Sequence, residues 1–388
     1  MSDVRLEVFQ NEYLPAGGTV VDAVVAVTSG AEVGAEVGAT PARPTSAAEI
    51  IMIDCSGSMH GAKLRAACDA ACVAIDTLRN GVEFAVVGGT HRAWNVYPGG
   101  NGLTRASKRS RQDAKTAVKR LGSDGCTNFS TWLRLTNTLF ARSRAEVKHA
   151  ILLTDGANGD DPQEFSAALT ACHGAFVCDS RGVGDGWHAR DLLAVADALL
   201  GSADGMKDPA QLAADFRSMV ETAMGKNLAG VALRLWTPAG ARIRFVKQVF
   251  PDILDLTARR TDVSARIGEY PLGAWGAESR DYHLSVELDP REVGDEVLAA
   301  RVSVVHADAV LAQGLVRALW TDDTAHSTKM NQRVAAYTGQ AELADAIQEG
   351  LAARAAGDLD TATDRLGRAV RRAHESGRDD TAKLLDSV

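Results

Sequence analysis

The chain has 388 residues, of which 24% are charged and 46% hydrophobic, and its formal net charge is -8. That length exceeds one ordinary domain, and the composition is that of a globular protein with two or three. The acidic balance argues against general nucleic-acid binding, and no apolar run is long enough to span a membrane.

The opening residues Met1-Ser2-Asp3-Val4-Arg5-Leu6-Glu7 are not apolar, so no signal peptide is expected. Val4, Leu6 and Val8 alternate with Arg5, Glu7 and Phe9, and Val21, Ala23, Val25 and Val27 share a face at the same period of two. These are strand signals, separated by a turn at Pro15-Ala16-Gly17-Gly18. Gly34, Gly38, Pro41 and Pro44 then mark a linker, so residues 1–45 read as a β-hairpin set apart from the buried strand at 49–53.

Residues 46–225 alternate strand and helix. Glu49-Ile50-Ile51-Met52-Ile53 reads as a strand buried on both faces, followed by a helix near 60–79 with Leu64, Ala67, Cys68, Ala71 and Ile75 inward. Strands are expected at 82–87 and 93–97, a basic helix near 105–120, and an apolar-striped helix at 128–143. A strand at 149–154, a helix at 162–173, a strand at 175–178, a helix at 188–200 and an edge strand at 202–207 complete the alternation. Asp208 and Pro209 start a last helix that runs to about Met224. Such an order specifies a doubly wound, mainly parallel α/β sheet of the Rossmann-like kind.

From residue 226 to 326 the period returns to two. Val231, Leu233 and Leu235 alternate, as do Tyr282, Leu284, Val286 and Leu288 with His283, Ser285 and Glu287. Turns are expected at Pro238-Ala239-Gly240, Gly273 and Asp289-Pro290, which makes this region a β-sandwich that the N-terminal strands could complete. Residues 327–388 read as a helical tail, with stripes at Ala344, Ile347 and Leu351 and at Ala362, Leu366, Ala369 and Val370, punctuated by Gly357-Asp358 and Gly377. Ala353 to Ala373 resembles a single tetratricopeptide-type hairpin, and one copy cannot form a solenoid.

The chemistry concentrates at strand ends. Asp54, Ser56 and Ser58 follow the first buried strand at alternate positions, Thr127 and Asn128 lead into a helix, and Leu153-Thr154-Asp155-Gly156 closes another buried strand. Ser and Asp after a strand can serve simply as helix caps. At the carboxyl ends of parallel strands, however, they lie where open α/β sheets bind ligands, and carboxylates with hydroxyls make a hard-oxygen set. In this order, Asp-x-Ser-x-Ser, Thr-Asn and Thr-Asp-Gly resemble the metal-ion-dependent adhesion site of the von Willebrand factor type A family.

The resemblance covers about residues 46–225. It implies that Ser56, Ser58 and Thr127 ligate Mg²⁺ (or Mn²⁺ or Ca²⁺) while Asp54 and Asp155 act partly through water. It also implies a function, which is to bind an Asp or Glu carboxylate of a partner protein through the metal. By analogy with integrins, the α/β domain would sit inserted in the sandwich.

Alternatives are an adaptor or regulator of a partner ATPase, as in chelatase-type assemblies, and a metal-dependent phosphohydrolase. Catalysis is not expected: His60 is the only nearby base in sequence, and neither a Gly-x-Ser-x-Gly nor a phosphate-loop motif is present. Asp160-Asp161 is expected to be a solvated loop, with a second cation site as the other reading. The basic helix is expected to present a solvated face, or else to steer an acidic partner. Six cysteines with no C-x-x-C spacing fit a reduced, cytoplasmic protein, and Cys55 and Cys126 flank the proposed ligands.

Overall fold

A computed structural model describes residues 4–30, 45–206, 208, 211–323 and 356–375, together with 331, 333–334, 336–337, 346–347, 349–350 and 352–354. The linker residues Gly34, Gly38, Pro41 and Pro44, the helix start at Pro209, and Ser327, Ala344, Leu351 and Gly377 lie outside the described residues. The described residues fall into two compact units, one drawn from 4–30 and 228–375, the other from 45–227.

The chain begins with β1 (Val4–Gln10), β2 (Tyr13–Pro15) and β3 (Val20–Ser29), of which β1 and β3 pair antiparallel. The α/β unit comes next: β4 (Ala47–Asp54), α1 (Ala62–Thr77), β5 (Glu83–Gly89), β6 (Ala93–Tyr97), β7 (Thr104–Arg105), α2 (Lys108–Val118) and α3 (Phe129–Phe140). It continues through β8 (Val147–Thr154), α4 (Pro162–Cys172), β9 (Val177–Val183), α5 (Ala189–Ala198), β10 (Ala203–Met206) and α6 (Leu212–Gly225).

Its sheet runs β10-β9-β8-β4-β5-β6. Every pairing from β10 to β5 is parallel, while β6 and β7 join β5 antiparallel. Strand order reverses at β4, whose neighbours β5 and β8 come from opposite directions, and the crevice at such a reversal is where open sheets bind ligands. All eight residues of β4 are buried, which is why it reads as an unbroken apolar run. Ala48, Ile50 and Met52 pack with Phe129, Trp132 and Leu133 of α3 and Leu192 and Val195 of α5.

Strand ends in this unit are shaped by indoles resting on glycines. A Cβ at Gly89 would lie 2.2 Å from the Trp132 ring, and one at Gly182 would lie 2.3 Å from Trp187. Each indole N–H is satisfied by a strand-end carbonyl, Trp132 by Thr90 at 2.7 Å and Trp187 by Gly184 at 2.8 Å.

On the sheet face opposite α3 and α5, charges are paired in a row. His149 Nδ1 meets both Glu49 carboxylate oxygens at 2.9 Å, and its Nε2 meets Asp179 Oδ2 at 3.0 Å. Asp179 Oδ1 accepts from Ser202 N at 2.7 Å and Ser202 Oγ at 2.8 Å. Arg181 donates to Ser202 Oγ at 3.0 Å and to Asp215 of α6 at 2.8 Å. Burial alone would pull the imidazolium down, but the adjacent carboxylates outweigh it and push His149 up to about 10. Burial raises Glu49, whereas hydrogen bonding and charge from His149 and Arg181 overcome burial at Asp179 and lower it.

The other unit adds β11 (Leu228–Trp236), β12 (Arg242–Phe250), β13 (Leu254–Asp255), β14 (Thr261–Ser264), β15 (Ile267–Trp275), β16 (Glu278–Glu287), β17 (Glu296–His306), β18 (Ala309–Thr321) and α7 (Leu359–Glu375). One sheet is ordered β1-β3-β16-β12-β13 and the other β14-β15-β11-β17-β18-β2. The sheets face each other tightly: a Cβ at Gly314 of β18 would lie 2.5 Å from Leu6 and Val8 of β1.

Gly273 is not a turn. It lies inside β15 at φ +76°, where the register against β11 slips at Val231, so its special backbone marks a β-bulge. The alternation in β16 also fails as a guide to burial. Asp281 through Val286 are all buried, because β16 is a central strand and segments of the helical tail reach its polar face. There Arg333 donates to Asp281 at 2.9 and 3.0 Å, and Tyr337 donates to the same carboxylate.

Candidate metal centre

Asp54 ends β4 with its side chain fully buried. Its Oδ1 accepts the Ser56 backbone N–H at 2.7 Å and its Oδ2 accepts Thr154 Oγ at 2.5 Å. Burial pushes the Asp54 carboxyl up, and the charge of Asp155 adds to this while donors from Ser56 and Thr154 work against it. Ser56 and Ser58 place their hydroxyl oxygens 3.1 Å apart, and Ser58 donates to Asp155 Oδ1 at 2.6 Å. Neither serine caps a helix: α1 is preceded by Gly61, and Ser56 gives no side-chain bond to the short turn Gly57–Met59.

Thr127 is brought in by three loops laced together through backbone bonds. Asp124 N donates to Cys55 O at 2.8 Å, Gly57 N to Gly125 O at 2.9 Å, and Gly159 N to Thr127 O at 2.7 Å. Gly125 makes the turn at φ +80°, where a Cβ would also come within 2.9 Å of His91.

Gly156 shows where the donors converge. A Cβ there would sit 3.2 Å from Thr127 Oγ, 3.3 Å from Ser58 Oγ and 4.0 Å from Asp54 Oδ2. Asp54, Ser56, Ser58, Thr127 and Asp155 are thus gathered around one small crater at the carboxyl end of β4 and β8. Among the described residues no three His, Cys, Asp or Glu side chains group as a metal site. A cation in the crater would therefore depend on hydroxyls, and three hydroxyls with two carboxylates fit a hard divalent ion that keeps some of its water.

Four contributors have roles that the sequence reading did not assign. Thr154 fixes Asp54, and Lys63 places Nζ 2.5 Å from Asp155 Oδ2. Asp160 is half-buried and its carboxylate is engaged within the unit: it accepts from Asn128 Nδ2 at 2.9 Å and from Ser130 N and Oγ at 2.6 Å each. With Asn158, which accepts Phe129 N at 3.1 Å, it caps α3 from a separate loop and so anchors the segment carrying Thr127. Asp161 caps α4, accepting Gln163 N at 2.9 Å, with Pro162 in the first turn. The Asp-Pro pair could have revealed the latter; nothing local could have revealed the former.

Other residues singled out by the sequence are placed away from the crater's chemistry. His60 is exposed and its Nδ1 meets Gly57 O at 3.1 Å. Cys55 is buried, its thiol pushed up to about 12 by burial and by Asp54, which leaves it a poor nucleophile, and Cys126 is exposed. The basic helix α2 is tied into the unit: Lys115 pairs with Asp76 at 2.8 Å, and Arg111 donates to Leu78 O and Asn80 at 2.6 and 2.7 Å.

Fold and crater together define a doubly wound α/β module with an oxygen-rich site at its strand-order reversal. The von Willebrand factor type A domain profile matches residues 48–204. A solved von Willebrand factor type A protein of Catenulispora acidiphila is 49% identical, aligned over 99% of this chain and 89% of that one, with a TM-score of 0.88. The chain belongs to the von Willebrand factor type A family.

The ArnB paralog VWA2 of Sulfolobus acidocaldarius shares the fold at 14% identity and a TM-score of 0.61, over 99% of this chain and 92% of its own. The uncharacterized protein sll0103 of Synechocystis is 28% identical over 270 residues, which are 68% of this chain and 62% of that protein's length. No helix among the described residues is long and apolar enough to cross a membrane.

Proposed function

We propose that the protein is a metal-dependent protein-interaction module, in keeping with the general role of its family. Ser56, Ser58 and Thr127 would hold Mg²⁺ (or Mn²⁺ or Ca²⁺), with Asp54 and Asp155 supporting it. A bound ion would supply a Lewis-acidic position for an Asp or Glu carboxylate presented by a partner protein. The observation that carries this reading is the convergence of Thr127, Ser58 and Asp54 oxygens on one point above Gly156.

The residues do the remaining work. Thr154 and the Ser56 N–H orient Asp54, Ser58 links Asp155 to the serine pair, and Asp160 fixes the start of α3 behind Thr127. Neutral hydroxyl donors leave the ion's charge largely uncompensated, which favours an anionic partner group. The reading assigns no catalytic role, in keeping with the general role of the family, and His60 bonds through its ring to Gly57 O. A reduced, cytoplasmic setting is supported by six cysteines that are all free.

Calorimetric titration of metal-free protein with Mg²⁺ and Mn²⁺ tests the reading. Saturable binding that Asp54→Ala abolishes, and that acetate or an acidic peptide strengthens, is the expected result. Absence of binding with and without the carboxylate would refute it.

A further inference from the structure

The crater contains a cation of its own. Lys63, in the first turn of α1, sets Nζ 2.5 Å from Asp155 Oδ2, and its side chain is 40% exposed while that of Asp155 is fully buried. The other oxygen of Asp155 accepts Ser58 Oγ at 2.6 Å, so both carboxylate oxygens are engaged. Gly184, in the turn after β9, lies alongside: a Cβ there would make ordinary contact with Lys63 Cε at 3.6 Å and Nζ at 3.8 Å. Lys63 thus sets its ammonium against a buried anion while the rest of its side chain stays partly open to solvent.

Resting on the metal-site reading, we propose that Lys63 holds the Asp155 carboxylate out of the ion's inner shell and thereby reserves the ion's charge for the partner's carboxylate. Two charges decide the matter. A carboxylate that ligates a divalent ion directly cancels about half its charge, and the ion then attracts a second carboxylate weakly. A charge-assisted bond to an ammonium is about twice as strong as a neutral one and competes for the same oxygen. The ammonium also adds positive potential beside the site, which weakens binding of a bare divalent ion and favours an incoming anion. Lys63 is therefore a positioning residue: it lowers affinity for the metal alone and couples metal binding to partner binding.

The test compares wild type with Lys63→Met, which keeps the length and removes the charge, and Lys63→Arg, which keeps the charge. Each full-length protein is titrated with Mn²⁺ by calorimetry, with and without acetate, and the bound Mn²⁺ is probed by water-proton relaxation. Lys63→Met should bind Mn²⁺ about tenfold tighter, the size of effect that groups behind metal ligands commonly exert. It should lose the tightening by acetate, and its relaxation enhancement should fall as Asp155 replaces an inner water. Lys63→Arg should stay near wild type. Equal Mn²⁺ affinity and equal acetate response in wild type and Lys63→Met would overturn this inference while leaving the metal site standing. No saturable Mn²⁺ binding in any of the three would overturn the metal site itself, and the inference with it.

Discussion

Two of the places where the α/β unit buries charge do so differently. In the row from Glu49 to Asp215, carboxylates and cations alternate: Glu49, His149, Asp179, Arg181 and Asp215, with Ser202 bridging. In the crater, two fully buried carboxylates stand side by side, a lysine pairs with Asp155, and three hydroxyl oxygens with no charge of their own cluster beside them. The row uses its ionic groups on each other, while the crater keeps oxygen acceptors turned towards a common point. Buried ion pairs of the first kind contribute little beyond a fixed arrangement, but removing one partner is costly. Acceptor-rich clusters of the second kind make sense when a further cation joins them.

The widest separation between the two should come from His149→Ala. It leaves Glu49 and Asp179 buried without their cation, so unfolding free energy should fall by about 3–5 kcal/mol in denaturant melts. The pH dependence has a definite sign. The folded-state value of His149 lies near 10 against an ordinary 6.5, so its stabilisation is complete below about pH 6.5 and fades as pH rises towards 10. The wild type should lose a few kcal/mol across that window, and His149→Gln should show a flatter profile. A wild type equally stable at pH 6 and pH 9.5 would mean that the row does not depend on a charged imidazole.

Asp54→Ala should behave in the opposite way. Its carboxyl is held in an environment that disfavours its charge, so stability should change little, whereas Mn²⁺ affinity should drop at least a hundredfold, or about 3 kcal/mol. If Asp54→Ala unfolds the unit as readily as His149→Ala, the crater is a structural feature like the row. Asp160→Ala lies between the two. Losing its bonds to Ser130 and Asn128 should cost about 2 kcal/mol of stability, the upper range for a helix cap, and loosen Thr127 along with it. Hydrogen exchange confined to the start of α3 would register this.

How far the sequence could be read divides along the same line. The fold class was legible because β4, β5 and β8 are buried on both faces and appear as unbroken apolar runs, and because helix and strand periods alternate cleanly around them. The five crater residues were legible because each stands at a strand end or a helix start, within a few residues of an apolar run. The row was not: Glu49 and His149 each look like an isolated polar interruption in a strand, and only the register that puts Glu49 opposite His149 makes them partners. Lys63 and Asp160 were missed for the same reason, since each works across a gap of 30 or more residues to a group that no local pattern connects. Gly273 misled because a glycine inside a strand and a glycine in a turn answer to the same need, a positive φ, and only the pairing tells them apart.

The subtlest separation of crater from row uses Gly156→Ala. The residue does not carry a left-handed backbone, so alanine brings no conformational penalty of that kind. Its methyl would enter the space that Thr127 Oγ bounds at 3.2 Å and Ser58 Oγ at 3.3 Å, closer than most carbon atoms pack but near enough for small adjustments to absorb. Stability should therefore move by less than about 1 kcal/mol, as for most substitutions at a site with solvent access. Mn²⁺ affinity should fall about tenfold, or about 1.4 kcal/mol, because the hydroxyls must spread to admit the methyl and ligand geometry tolerates little displacement. Affinity unchanged in Gly156→Ala would place any bound ion away from the point where Thr127, Ser58 and Asp54 meet, and would leave Asp155 and Lys63 as an ordinary ion pair.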